Sequence, residues 1–264
     1  MKLNVIRASA RMSVGAAVSA LALGATSALA ESATNKLVET ESSIKPPSVE
    51  AGAFYRSKKI ERGMVENKES VFGYEVEVEW YGFFAEVEAC YDMTGVEGRK
   101  GRYNEIESAI GYGFALGDFK AKGAYVYKKC GGDEHNTQEV EFELEYETPW
   151  VTPFLECELD VAEKAGATYG EAGLSREWKL TDWAALNTCC GVGFGNAYRN
   201  RTDFGSEKIA MRDVHLGLEL EIELCQHVKL VPGIDLYDQF TSAGRHEYHK
   251  GFVAVGGVKL AVEF

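Results

Sequence analysis

The chain has 264 residues and a formal net charge of −13, from 28 Lys+Arg against 41 Asp+Glu. That balance excludes nucleic acid and anionic lipid headgroups as electrostatic partners, because both require clustered bases. A hydrophobic fraction of 45% excludes wholesale disorder. Beyond the N-terminus no 18-residue apolar run remains, which removes a conventional membrane helix from the rest of the chain but leaves a β-barrel open. Residues 1–11 are basic (Lys2, Arg7, Arg11), residues 12–28 carry no charge, and Ala28-Leu29-Ala30 places small side chains before Glu31. This pattern predicts a secretory signal peptide over 1–30, cleaved after Ala30, and hence an exported protein. Residues 31–49 are polar, aperiodic and contain Pro46-Pro47, the composition of a flexible periplasmic leader.

From residue 50 to 264 the dominant period is two, which places alternate side chains on opposite faces of a strand. Residues 75–80 (EVEVEW) and 139–147 (EVEFELEYE) alternate without error. A helix would scatter the same apolar residues around its circumference. Period-two stretches between turn signals predict about twelve strands: 50–61, 69–80, 83–92, 103–115, 119–128, 137–148, 153–162, 168–178, 183–195, 208–225, 228–239 and 250–264. Connections alternate in length. Tyr81-Gly82, Leu116-Gly117-Asp118 and Gln226-His227 are short, whereas 93–102, 196–207 and 240–249 are long and polar. An all-β, up-and-down antiparallel transmembrane β-barrel of the bacterial outer membrane has this asymmetry, with short periplasmic turns and longer outer loops.

Aromatic placement points the same way. Trp80, Tyr81 and Phe83 crowd the first short turn, and Trp150, Trp178 and Trp183 lie at later ones. Rings of this kind are stable at a lipid–water boundary, half in the apolar zone and half wet. The last strand alternates and ends on Phe264. That ending is similar to the C-terminal signature read by the outer-membrane assembly machinery, the partner it implies beside the lipid bilayer.

With the apolar face (Val76, Val140, Phe142, Leu155, Leu218) toward lipid, the opposite face lines a lumen. The lumen candidates are Glu75, Glu77, Glu79, Glu86, Glu88, Glu105, Glu107, Glu139, Glu141, Glu143, Glu145, Glu156, Glu158, Glu219, Glu221 and Glu223. Lys120 and Lys122 join them between two acidic strands, and Lys128, Lys229 and Lys259 are the other bases of that face. The reverse orientation would put the carboxylates in lipid, at a few kcal/mol each. An acidic lumen predicts a diffusion channel for small solutes that prefers cations. Two alternatives stand beside it: a closed structural or adhesive barrel whose outer loops bind a partner, and a soluble periplasmic ligand-binding barrel.

No catalytic constellation emerges, so an enzyme is not expected. Of the five His, only His215 lies inside a predicted strand, on the lumen face; His135, His227, His246 and His249 fall in connections. No metal site or cofactor is expected either, because Cys90, Cys130, Cys157, Cys189, Cys190 and Cys225 show no ligand spacing and the pair His246/His249 has no third partner. Scattered strand positions suit free thiols better than a disulfide framework.

Two short motifs carry a resemblance. Residues 60–64 (IERGM) follow the first predicted strand, and Tyr81-Gly82-Phe83 forms an aromatic-Gly-aromatic turn. With the barrel pattern, they make residues 50–264 resemble bacterial outer-membrane β-barrel porins and, more narrowly, the TorF-like family of small porins. The resemblance implies a porin architecture. The six Cys and the density of Glu depart from the family's usual pattern.

Overall fold

The computed structural model describes residues 46–95, 100–131, 136–205, 208–239 and 252–264. The segment read as a signal peptide, most of the leader, and His135, His246 and His249 lie outside the described residues. The chain forms β1 (Ser48–Arg56), β2 (Lys59–Glu61), β3 (Met64–Asn67), β4 (Val71–Trp80), β5 (Phe83–Asp92), β6 (Tyr103–Leu116) and β7 (Phe119–Cys130). These are followed by β8 (Thr137–Tyr146), β9 (Thr152–Asp160), β10 (Thr168–Lys179), β11 (Ala184–Gly195), the helix α1 (Ala197–Phe204), β12 (Ala210–Cys225), β13 (Val228–Gln239) and β14 (Val253–Glu263). β1 and β4 to β14 close into one antiparallel barrel of twelve strands in sequential order. Closure runs through β1 and β14, where the Phe264 N–H donates to the Val49 carbonyl at 2.9 Å.

The burial pattern is inverted relative to a water-soluble domain. Glu139, Glu158, Asp160 and Asp213 are almost completely buried, whereas Ile110, Phe142, Leu155 and Leu260 are exposed on the outer wall. Alternation along each strand produces both faces at once. The aromatics of the short-turn end stay on the surface: Trp80, Tyr81, Phe83, Trp150, Trp178, Trp183 and Phe264 are all exposed. Tyr55, Phe72 and Phe252 form an outward-facing group near the other end that the sequence reading did not single out. Tyr81 (φ 52°) and Gly82 (φ 84°) both adopt the left-handed region that a two-residue hairpin turn of the mirror type requires.

The wall is thinned and curved by a repeated device. Phe54 pairs with Gly73, Phe84 with Gly111 and Phe154 with Gly173 on the neighbouring strand, and each ring lies over the bare glycine. A Cβ at any of the three would meet the ring, so the sequence keeps a large and a small residue side by side. Phe84 with Ala109 and Val126 makes a small apolar cluster within the barrel.

Two pieces of chain depart from the predicted strands. The stretch read as a single strand over 50–61 breaks after Arg56, and Lys59–Asn67 instead forms a separate hairpin of β2 and β3. Arg62 (φ 51°) and Gly63 (φ 73°) form its two-residue turn, a geometry that ends a strand even where alternation continues. In the connection read as a polar loop, α1 starts where the Asn196 side chain accepts from the Arg199 N–H at 2.7 Å, and stops at Gly205 in the left-handed region. The boundary predictions for the other strands agree with the structure to within about three residues.

Candidate functional site

The inward face of the barrel is the site to consider. It is built by neighbouring strands that set carboxylates opposite carboxylates: Glu75 pairs with Glu88 and Glu77 with Glu86 across β4–β5. Glu141 pairs with Glu158 and Glu143 with Glu156 across β8–β9. Rows of acids this close repel unless cations or water stand among them.

At the long-loop end the cations come from folded loops. The β2–β3 hairpin turns into the barrel, and its tip is Arg62. The guanidinium Nε donates to Glu158 Oε2 at 2.6 Å and Nη2 to both oxygens of Glu139. Lys59 Nζ lies 2.7 Å from Glu105 Oε1 and 2.8 Å from Glu66 Oε2. Lys128 on β7 reaches back to Glu61 of the hairpin at 2.8 Å and to Glu139 at 3.1 Å. A second loop helps, because α1 brings Arg199 Nη2 to 3.3 Å from Glu139 while Arg212 holds Asp203 at 2.8 Å. The hairpin is also anchored by its backbone: Gln239 on β13 donates to the Gly63 carbonyl at 2.5 Å.

These contacts tune the hairpin's own groups. Burial opposes the charge of Lys59, but Glu105, Glu66 and Glu61 outweigh it and hold the ammonium well above the ordinary lysine range. Burial likewise raises Glu61, yet Arg62, Lys128 and Lys59 prevail and keep that carboxyl well below its usual range. Glu66 goes the other way, pushed up to about 8 by enclosure within the barrel and then by the Glu61 charge. Its side chain keeps 31% of its surface in water.

At the short-turn end the bases are strand residues. Lys120 pairs in register with Glu145 and lies 2.5 Å from Glu147 Oε1; Lys122 pairs in register with Glu143 and lies 3.9 Å from Glu77 on β4, three strands away. Lys229 lies 3.1 Å from Glu221, and Lys259 bridges Glu75 and Glu50. Of the predicted lumen residues, Glu105, Glu107, Glu139 and Glu158 converge with the hairpin near the long-loop end. Glu75, Glu88, Glu141, Glu156 and Glu219 lie at mid-height, while Glu77, Glu79, Glu86, Lys120, Lys122, Glu143, Glu145, Glu221 and Glu223 fall toward the short turns. The sequence reading missed Lys59, Arg62, Arg199 and Arg212. The Arg62-Gly63 dipeptide is a turn signal for one of them; the others carry no local signal.

None of the six cysteines is joined in a disulfide; Cys90 and Cys189 are buried, and Cys190 and Cys225 are exposed.

No family model matches the chain, so the TorF-like likeness of residues 60–64 and 81–83 finds no support there. No curated protein matches either. Among solved structures, the chain is similar to the NanC porin, with a TM-score of 0.50 at 12% identity over 82% of this chain and 98% of that one. It also aligns with the KdgM porin in complex with disordered oligogalacturonate, at 0.48 and 8% identity over 82% and 98% of the two chains. The translocator domain of the autotransporter NalP from Neisseria meningitidis aligns at 0.46 and 12% identity over 92% and 94%. At such identities the NanC likeness supports the barrel fold alone, and the two lower scores carry no argument.

Proposed function

We propose that the protein is an outer-membrane channel through which small solutes diffuse, with the short turns in the periplasm and the long loops outside. The observation that carries this reading is the inverted barrel: a closed wall with apolar residues outside and ionisable residues throughout its interior. An apolar outer face flanked by exposed aromatics fits a bilayer, and a charged interior fits water. The N-terminal signal pattern supplies a route of export, and the strand ending at Phe264 is the segment offered to the assembly machinery.

The periplasmic half of the lumen, where carboxylates exceed bases, is the part that favours cations. The outer half is narrowed by the β2–β3 hairpin, whose Lys59 and Arg62 neutralise the acids around them. The hairpin acts as a constriction, so the solutes that pass are small. Planar-bilayer reconstitution tests this, with the reversal potential read in a salt gradient. The expected result is a small conductance with cation preference; anion preference overturns the selectivity assignment.

The network of ion pairs that holds Arg62 favours a second reading, a barrel kept closed by its hairpin. Silence of the native protein, together with conductance after residues 59–67 are replaced by a short Gly-Ser link, assigns the closed state. Silence of both removes the channel altogether.

A further inference from the structure

On the wall formed by β10, β11 and β12, Glu171, Asp213 and His215 lean toward one another over the middle strand. They can do so because that strand is bare beneath them. Gly193 is the register partner of both Glu171 and Asp213, and Gly191 is that of His215. A Cβ at Gly191 would lie 2.7 Å from Glu171 Oε1 and from His215 Cε1, and one at Gly193 would lie 2.4 Å from Asp213 Oδ2. Strands two apart are separated by roughly 9.5 Å, a gap that side chains close only where nothing stands between them. Elsewhere the barrel lays a phenyl ring over a glycine; here it lays an imidazole and two carboxylates over a pair of them.

The three side chains present one ligand atom each, and these atoms lie within 4.8 Å of one another. His215 Nδ1 is 3.5 Å from Glu171 Oε2, and the imidazole is 0% exposed. Asp213 is 1% exposed, and among the described residues neither His215 Nδ1 nor Asp213 Oδ2 has a hydrogen-bond partner. The remaining atoms are held in place. Cys189 Sγ lies 3.7 Å from His215 Nε2, so the tautomer with its proton on Nε2 donates toward sulfur and turns the Nδ1 lone pair to the carboxylates. The Tyr169 hydroxyl lies 3.2 Å from Glu171 Oε2 and 3.4 Å from Asp213 Oδ1, close enough to donate to either. Lone pairs from three groups therefore converge in a dry wall, an arrangement that a cation relieves.

We propose that Glu171, Asp213 and His215 bind a single divalent cation of the Zn²⁺ class. The imidazole selects borderline ions over Ca²⁺ and Mg²⁺, which prefer all-oxygen sites, and the two carboxylates balance the ion's charge. Zinc–ligand distances of about 2.0–2.2 Å require the three side chains to close in by small rotations. A cavity of about 60 Å³ adjoins the cluster, lined by Tyr169, Glu171, Tyr237 and the hairpin tip at Arg62-Gly63. It gives the ion a way in and room for a water as a further ligand. In sequence the site is nearly invisible, because Asp213-x-His215 is a short spacing and Glu171 joins it only through the sheet.

The test uses the protein purified from membranes in detergent and titrated with Zn²⁺ alone by calorimetry, then with Ca²⁺, and with Co²⁺ followed by visible absorption. The expected result is one Zn²⁺ per chain, Ca²⁺ binding weaker by at least about tenfold, and a Co²⁺ spectrum of nitrogen and oxygen ligands without thiolate charge-transfer bands. His215→Gln and Asp213→Asn are each expected to weaken Zn²⁺ binding by at least about tenfold. Absence of Zn²⁺ binding by the folded native barrel overturns the proposal, as do thiolate bands, equal affinity for Ca²⁺, or unchanged affinity in both variants. If a variant does not reach the heat-modifiable folded form on gels, the native protein's Co²⁺ spectrum decides alone.

Discussion

The two ends of the lumen face the same difficulty, rows of carboxylates brought together by strand pairing, and meet it differently. At the outer end, loops fold inward and deliver cations: Arg62 to Glu139 and Glu158, Lys59 to Glu105, Arg199 to Glu139. The groups there are almost dry, with Glu139 and Glu158 at 0% and 1% side-chain exposure. At the short-turn end the same kind of ladder keeps only strand lysines, and its groups are wetter: Lys122 is 30% exposed and Glu147 46%. Dry charges must be matched almost one for one, because removing a partner strands the other in a poor solvent. Wet charges tolerate an excess.

The largest expected effect comes from breaking the outer match. Arg62→Ala removes the guanidinium that Glu158 and Glu139 share, Glu139 keeping Lys128 and Arg199, and weakens hairpin docking by about 3–5 kcal/mol, the usual loss when one member of a buried pair is removed. Single-channel conductance rises, and the heat-modified gel shift occurs at a lower temperature. An unchanged conductance breaks the assignment of the hairpin as the constriction. Glu139→Gln is expected to lower thermal stability similarly while moving the reversal potential little.

At the wet end the effects are smaller and appear in selectivity. Removing one charge at about 4 Å from a passing ion is worth about 1 kcal/mol in water, so Glu143→Gln with Glu77→Gln is expected to lower the cation-to-anion permeability ratio by roughly fivefold per charge. The folding midpoint should hardly change. Lys120→Gln is smaller again. Its partner Glu147 is nearly half exposed, and such pairs contribute about 0.2–1 kcal/mol, so a modest gain in cation preference is expected.

Hairpin docking also depends on pH. Docking raises the Glu66 carboxyl from an ordinary 4.5 to about 8, so the docked hairpin binds more protons than the released one between those values. Docking is therefore strongest below that window and weakens as the pH rises through it. Conductance is expected to increase from pH 6 toward pH 9, and Glu66→Gln should flatten the profile. A profile that falls with pH would reverse the sign of the coupling.

Much of the fold was legible because it rests on period. Alternation in residues 75–80 and 139–147 marked strands, and those strands are part of the closed barrel. The Trp residues at short turns marked one rim by the same local logic. The hairpin was not legible. Residues 57–61 read as the end of the strand before them and 62–68 as a connection, and nothing local says that the strand stops at Arg56 and that Lys59–Asn67 turns inward as a hairpin. Arg199 and Arg212 escaped for a related reason, since both depend on where α1 and the bulge near the start of β12 settle against the wall.

The sequence by itself determined the number of barrel strands, their up-and-down order and the alternation along each. Each of these follows from interactions within a strand or across one turn. Only the tertiary structure decided how that charge is met: which loop enters the barrel, which carboxylates receive a cation, and which side chains meet over a bare strand. Those outcomes depend on groups far apart in the chain, as Arg62 is from Glu158 and Glu171 from His215. Their juxtaposition exists only once the barrel has closed.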